Sequence, residues 1–221
     1  MSKRLAFIHT VTSLVGPFNN LCAELLPGVD IFHIADESLI QNCIRDGKMS
    51  TMTARRVVRY MISAEEAGAD LMMVTCSSVG DTVTMAQPVL HVPVYRVDQP
   101  MADQAVGMGK RIGVAATLPT TLDPTARLIQ SRASASGKQV QVLSQLCEGA
   151  FDAVIAGDTA THDGLVRQGL RNLMNEVDVI VLAQASMARV VETLPEEERK
   201  VPILSSPRLA VEFLAQVMAS M

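Results

Sequence analysis

Three strand-sized blocks occur twice in this chain, in the same order. "RLAFIHT" at 4–10 resembles "RIGVAAT" at 111–117, "ADLMMVTCSS" at 69–78 resembles "VDVIVLAQAS" at 177–186, and "HVPVYRV" at 91–97 resembles "KVPILSS" at 200–206. The offsets are 107, 108 and 109 residues. One such match between apolar runs is within reach of chance. Three in register point to two halves of like fold. The last block ends close to the C-terminus, so the final segment is expected to pack back on the first half. The boundaries then fall near 98 and 205, giving a first α/β domain of 1–98 plus 205–221 and a second of 99–204.

Short apolar runs alternate with longer amphipathic segments. The runs are Leu5–Ile8, Asp30–Ile34, Leu71–Thr75, Val92–Val94, Ile112–Ala115, Val140–Leu143, Val179–Leu182 and Val201–Leu204. Between them, Phe18, Leu21, Cys22, Leu25 and Leu26 keep helical spacing before Pro27-Gly28. Residues 53–67 do the same, with Gly68 as terminator, and so do 164–175 and 207–221. Alternation of this kind predicts βαβ units and parallel sheets covered on both faces. The expected fold is α/β, with two pseudo-symmetric, flavodoxin-like parallel-sheet halves. Aromatics make up only 3% of the chain and Trp is absent, so Leu, Val, Ile, Met and Ala must fill both cores.

Composition also excludes several function classes. A net charge of −4 argues against a nucleic-acid partner, which needs a basic stripe to meet phosphates. No run approaches the length of a membrane span, so no membrane partner is expected. The N-terminus, "MSKRLAFIHTV", reads as a first strand and not as a targeting segment. Cys22, Cys43, Cys76 and Cys147 are scattered without a CxxC pair, the pattern of a reducing cytoplasm. No spacing reads as a metal site, and neither GxGxxG nor a P-loop is present.

Chemistry is expected at the strand ends, because open parallel sheets bind ligands beyond the carboxyl ends of their strands. Cys76 stands at such an end, followed by Ser77, Ser78 and Gly80 and by an expected helix over 81–87. A helix start there would stabilise a thiolate and offer N–H groups to a carboxylate. By position alone Cys76 is either a buried small residue or a reactive thiol. The other three cysteines read as packing. His9 ends the first strand on the same edge, as a hydrogen-bonded cap, as an imidazolium that activates the thiol, or as an acid/base group itself. In "AGDTATHDGLV", residues 157–161 read as a loop, Asp163 as a helix cap, and His162 as pointing toward the ligand. Thr117, Thr120 and Thr121 follow the strand equivalent to that of His9. His33 and His91 are assigned to structure.

The motifs "VTCSS", "RIGVAATLPTT" and "VDVIVLAQASMA" resemble, in order and spacing, the aspartate/glutamate/hydantoin racemase superfamily over nearly the whole chain. That resemblance implies a cofactor-independent enzyme with two pseudo-symmetric α/β halves and a cleft between them. Each half of those racemases supplies one cysteine, which removes or returns the proton alpha to a carboxylate. Here the second position reads Leu182-Ala183-Gln184, and an amide does not exchange protons at a useful pKa. The resemblance therefore implies a racemase- or epimerase-like isomerase of a small acid with Cys76 as the thiolate. His162 or His9 would supply the second proton-transfer group. Thr75, Ser77, Ser78, Thr117, Thr120, Thr121, Gln184 and Ser186 would bind a small-molecule carboxylate substrate. A one-cysteine decarboxylase or lyase, a maleate-isomerase-like cis–trans isomerase, and a non-catalytic small-acid-binding protein are the alternatives. A homo-oligomer, dimer or higher, is expected.

Overall fold

The structure is a computed structural model that describes residues 3–221. These residues fall into two compact units. One runs through Asp98 and resumes at Pro207; the other is Gln99–Ser206.

The first unit contains β1 (Arg4–His9), α1 (Val15–Leu25), β2 (Asp30–Ala35), α2 (Ser38–Asp46), α3 (Thr51–Glu66), β3 (Leu71–Val74), α4 (Thr82–Ala86) and β4 (Val94–Arg96). In the second, α5 (Gln99–Met108) leads into β5 (Arg111–Ala116), α6 (Pro119–Ala135), β6 (Gln141–Leu146), α7 (Ala150–Ile155), α8 (Thr159–Met174), β7 (Val179–Leu182), α9 (Ala188–Glu192) and β8 (Ile203–Ser205). The last helix, α10 (Ser206–Ser220), returns to the first unit. Each unit holds one four-stranded sheet, ordered β2-β1-β3-β4 and β6-β5-β7-β8, and every pairing is parallel. The repeated blocks thus become β1 and β5, β3 and β7, and β4 and β8.

The repeat extends to the ties that hold the strands in place. Asp70, just before β3, accepts the Arg4 backbone N–H at 2.7 Å. Its counterpart Asp178 accepts those of Lys110 and Arg111, each at 2.9 Å.

In the first sheet, side-chain alternation assigns residues to faces. Leu5, Phe7, Leu71 and Met73 pack on Phe18 and Cys22 of α1 and on Ala210, Val211 and Leu214 of α10. Ala6, Ile8, Met72 and Val74 pack on Leu39 and Cys43 of α2 and Val57 and Met61 of α3. Burial on both faces explains why these strands read as unbroken apolar runs. In the second unit, Ala115, Ile180 and Leu182 pack on Val166 and Leu170 of α8.

Local signals account for several helix ends. Ser50 caps α3 by accepting the Thr53 N–H, and Gly68 follows the helix at φ +88°, a conformation that favours glycine. Pro119 opens α6, where its missing N–H costs nothing. Among the described residues, no helix is long and apolar enough to cross a membrane.

Candidate active site

On the carboxyl edge of the first sheet, Cys76 follows β3 with extended backbone (φ −131°, ψ 119°). It caps a three-residue 3-10 turn, Ser77–Val79, and α4 begins only at Thr82. The continuous helix expected over 81–87 is therefore a five-residue helix, separated from the thiol by the turn. A helix dipole contributes little at that distance, since the effect fades within a turn. Cys76 is half-buried, and the other three cysteines are buried. Burial pushes the thiols of Cys22, Cys43 and Cys147 up to about 11, far from the reactive range. Thr75, Ser77 and Ser78 flank Cys76 and are buried.

His9 is completely buried, and both of its ring nitrogens are engaged. Nδ1 lies 2.8 Å from Thr75 Oγ1, and Nε2 lies 2.8 Å from His33 Nδ1. His33 Nε2 continues the chain to Asn19 Oδ1 at 2.9 Å. Burial, with a smaller contribution from His33, pushes the His9 pKa down to about 4. His9 is thus neutral at neutral pH. The imidazolium role considered from sequence does not fit this environment. Nor is His33 the isolated structural residue that its sequence context suggests.

Two ion-pair clusters brace the same edge, and sequence reasoning missed both. Arg96, at the end of β4, forks onto Asp98 with two 2.9 Å bonds and reaches Asp81 at 2.7 Å. Its guanidinium lies against Gly80, where a Cβ would come within 2.5 Å of Cζ. At the end of β2, Asp36 accepts from Tyr60 Oη at 2.7 Å, from Ser38 Oγ at 2.7 Å and from Arg56. Burial opposes ionisation of Asp36, but these hydrogen bonds and the Arg56 charge outweigh it and hold the carboxyl below its usual range. The Asp-x-Ser spacing at 36–38 was the one sequence signal for this cluster.

On the carboxyl edge of the second sheet, Gln184 takes the place that Cys76 holds in the first. It too is an extended residue (φ −136°, ψ 135°) that caps a three-residue 3-10 turn. Its side chain is tied to the end of β5: Oε1 accepts the Thr117 N–H at 2.6 Å, and Nε2 donates to Thr117 Oγ1 at 2.8 Å. Thr120 and Thr121 lie in the first turn of α6 and are buried, and Thr120 Oγ1 has no protein partner. Ser186 is exposed.

His162 departs from expectation. It lies inside α8 and not in a loop, because Asp158 caps that helix by accepting the Thr161 N–H at 3.0 Å. Asp163 instead receives His162 Nδ1 at 2.7 Å and two contacts from Arg189 of α9, at 2.6 and 2.9 Å. The ring is fully buried, and its Nε2 has no protein partner. Among the described residues, no cluster of three or more His, Cys, Asp or Glu side chains is arranged to hold a metal.

Two parallel α/β units of one topology, with polar and thiol groups gathered on their carboxyl edges, define a duplicated α/β protein of the kind seen in racemases. The sequence profile of the Asp/Glu/hydantoin racemase family matches residues 9–214, and the chain belongs to that family. No curated protein sequence matches it. Among solved structures, a glutamate racemase from Bacillus anthracis is similar with a TM-score of 0.77 at 21% identity, over 99% of this chain and 82% of that one. An allantoin racemase from Klebsiella pneumoniae gives 0.71 at 19% identity, over 99% and 89%. An aspartate racemase from Picrophilus torridus gives 0.71 at 14% identity, over 97% and 95%. At these identities the likeness establishes the fold. Family membership supports a racemase-type isomerase.

Proposed function

We propose that the protein is a cofactor-independent isomerase of a small acid, with Cys76 as the thiolate that moves the proton on the carbon alpha to a carboxylate or carbonyl. One observation carries the reading: of four cysteines, Cys76 alone is not buried, and it stands at a strand end among Thr75, Ser77 and Ser78. Removing an alpha proton leaves an enolate, whose oxygens must meet hydrogen-bond donors for the step to proceed. Ser77, Ser78, Thr117, Thr120, Thr121, Gln184 and Ser186 are the groups assigned to that task and to holding the carboxylate. His162 is assigned as the second proton-transfer group, because its Nε2 is unpaired while Nδ1 is fixed by Asp163. His9, neutral and engaged at both nitrogens, supports Thr75 instead.

A second reading is favoured by Gln184, which stands at the position equivalent to Cys76 and is already bonded to Thr117. With no thiol there, proton delivery to one face alone would make the enzyme a lyase. Cys76 adding to a carbon–carbon double bond, followed by rotation about the resulting single bond and release of the thiolate, would instead make it a cis–trans isomerase. The test is turnover of a panel of small amino, hydroxy and sugar acids in deuterated water. The isomerase reading expects deuterium at the alpha carbon of both enantiomers, whereas a lyase changes the carbon count. Cys76→Ala should lower turnover by about a hundred- to ten-thousandfold. Full activity in that variant would sink the thiol mechanism, and binding without turnover in the wild type would favour a non-catalytic role. A homo-oligomer in a soluble compartment is part of the same proposal, and light scattering reads the oligomeric state.

A further inference from the structure

The chain Asn19–His33–His9–Thr75 has no counterpart in the second half. At the equivalent positions of the second half, Ala116 replaces His9 and Ala183 replaces Thr75, and the same sheet forms without it. Its links are 2.9, 2.8 and 2.8 Å. Phe7 stacks on both rings, with centroids 5.9 Å from His9 and 5.5 Å from His33, which sets their planes. Asn19 is exposed and Thr75 is buried, so the chain leads from the surface to the residue before Cys76.

In a neutral imidazole one nitrogen donates and the other accepts, so only two self-consistent directions exist. In the first, Asn19 Oδ1 accepts from His33 Nε2–H, His33 Nδ1 accepts from His9 Nε2–H, and His9 Nδ1 accepts the Thr75 hydroxyl hydrogen. In the second, the Asn19 amide is turned over and every bond reverses. His9 Nδ1–H then donates to Thr75 Oγ1, whose own hydrogen goes to the Ile8 carbonyl 3.2 Å away. Either way the single hydroxyl hydrogen is spent inside the protein. We propose that Asn19, His33 and His9 are positioning residues that turn this hydrogen inward, so that Thr75 Oγ1 can meet any further group only as an acceptor. The burial that keeps both histidines neutral preserves the arrangement, since a cationic ring donates at both nitrogens and breaks the chain. Thr75 then cannot hold a carboxylate, as the sequence suggests it would. What it meets must carry a hydrogen on nitrogen, oxygen or sulfur. This inference rests on the active site proposed above.

The test is multiple-bond ¹H–¹⁵N spectroscopy of the histidine rings in the full-length protein at neutral pH. His9 and His33 should both be neutral and carry their hydrogen on the same-named nitrogen. Asn19→Asp, whose carboxylate can only accept, should shift both rings to the Nε2–H form. Thr75→Val, which removes an end that either direction satisfies, should leave the two rings with matching tautomers. A cationic ring, opposite tautomers in the two rings, or a response of His33 to Asn19→Asp that stops short of His9 would overturn the inference. None of these readings requires turnover, so the inference and the isomerase proposal fail separately.

Discussion

His9 sits in an aromatic and imidazole pocket that refuses its proton, and this has a consequence for stability. Its pKa is about 4 in the native state against 6.5 in an exposed histidine. Between those values the unfolded chain binds a proton that the native state excludes, so stability falls as pH drops from 6.5 through about 4 and is fully retained above that window. At about 1.4 kcal/mol per pKa unit, the loss is on the order of 3 kcal/mol. Denaturant midpoints measured across this range should fall more steeply for the wild type than for His9→Phe. Gly80 makes a steric prediction. Its φ of −59° suits any residue, but the Arg96 side chain that a Cβ would strike is pinned by Asp98 and Asp81. Gly80→Ala should therefore cost about 1–3 kcal/mol in chemical denaturation, as overpacking does.

At the scale of elements, α10 is the piece of the C-terminal sequence that completes the first unit. Its Ala210, Val211 and Leu214 cover the face that carries Leu5, Phe7, Leu71 and Met73. Leu214 is fully buried, so Leu214→Ala should destabilise the protein by about 2–5 kcal/mol, whereas Met85→Ala, on an exposed side chain, should change stability by no more than about 0.5 kcal/mol. Thermal unfolding of the two variants reads the contrast. The apolar runs marked the inner strands β1, β3, β5 and β7 well, because burial on both faces leaves an apolar signature. The edge strands, most of them half-buried, were marked less closely, and β4 shares only Val94 with its run. Helices were less legible. The helix α6 begins with "PTTLDPT", where the threonines and Pro124 are weak helix formers, and α8 starts earlier than its apolar spacing suggests because Asp158 caps it. In α6, the covering of the adjacent sheet outweighed weak local propensity.

For the whole molecule, the repeat has a physical consequence: each half carries its own sheet with its own covering helices. The second unit is continuous in sequence, and the first is assembled from two segments. A fragment of residues 99–206 should therefore fold alone with a cooperative thermal transition by circular dichroism, whereas one that stops at residue 98 should lack it. The sequence by itself determined the duplicated α/β plan, the strand ends where polar and thiol groups gather, and Cys76 and Gln184 as counterparts. These are matters of period and local order, which a linear chain displays. Tertiary structure decided which polar groups meet. His33 joins His9 because β2 lies beside β1 in a register that sets His33 opposite Phe7, on the face His9 shares. Gln184 meets Thr117 because β7 lies beside β5. Arg96 reaches Gly80 because β4 closes the edge of the sheet beside β3. Each contact joins residues whose separation along the chain carries no trace of their neighbourhood, and only strand order and register bring them together.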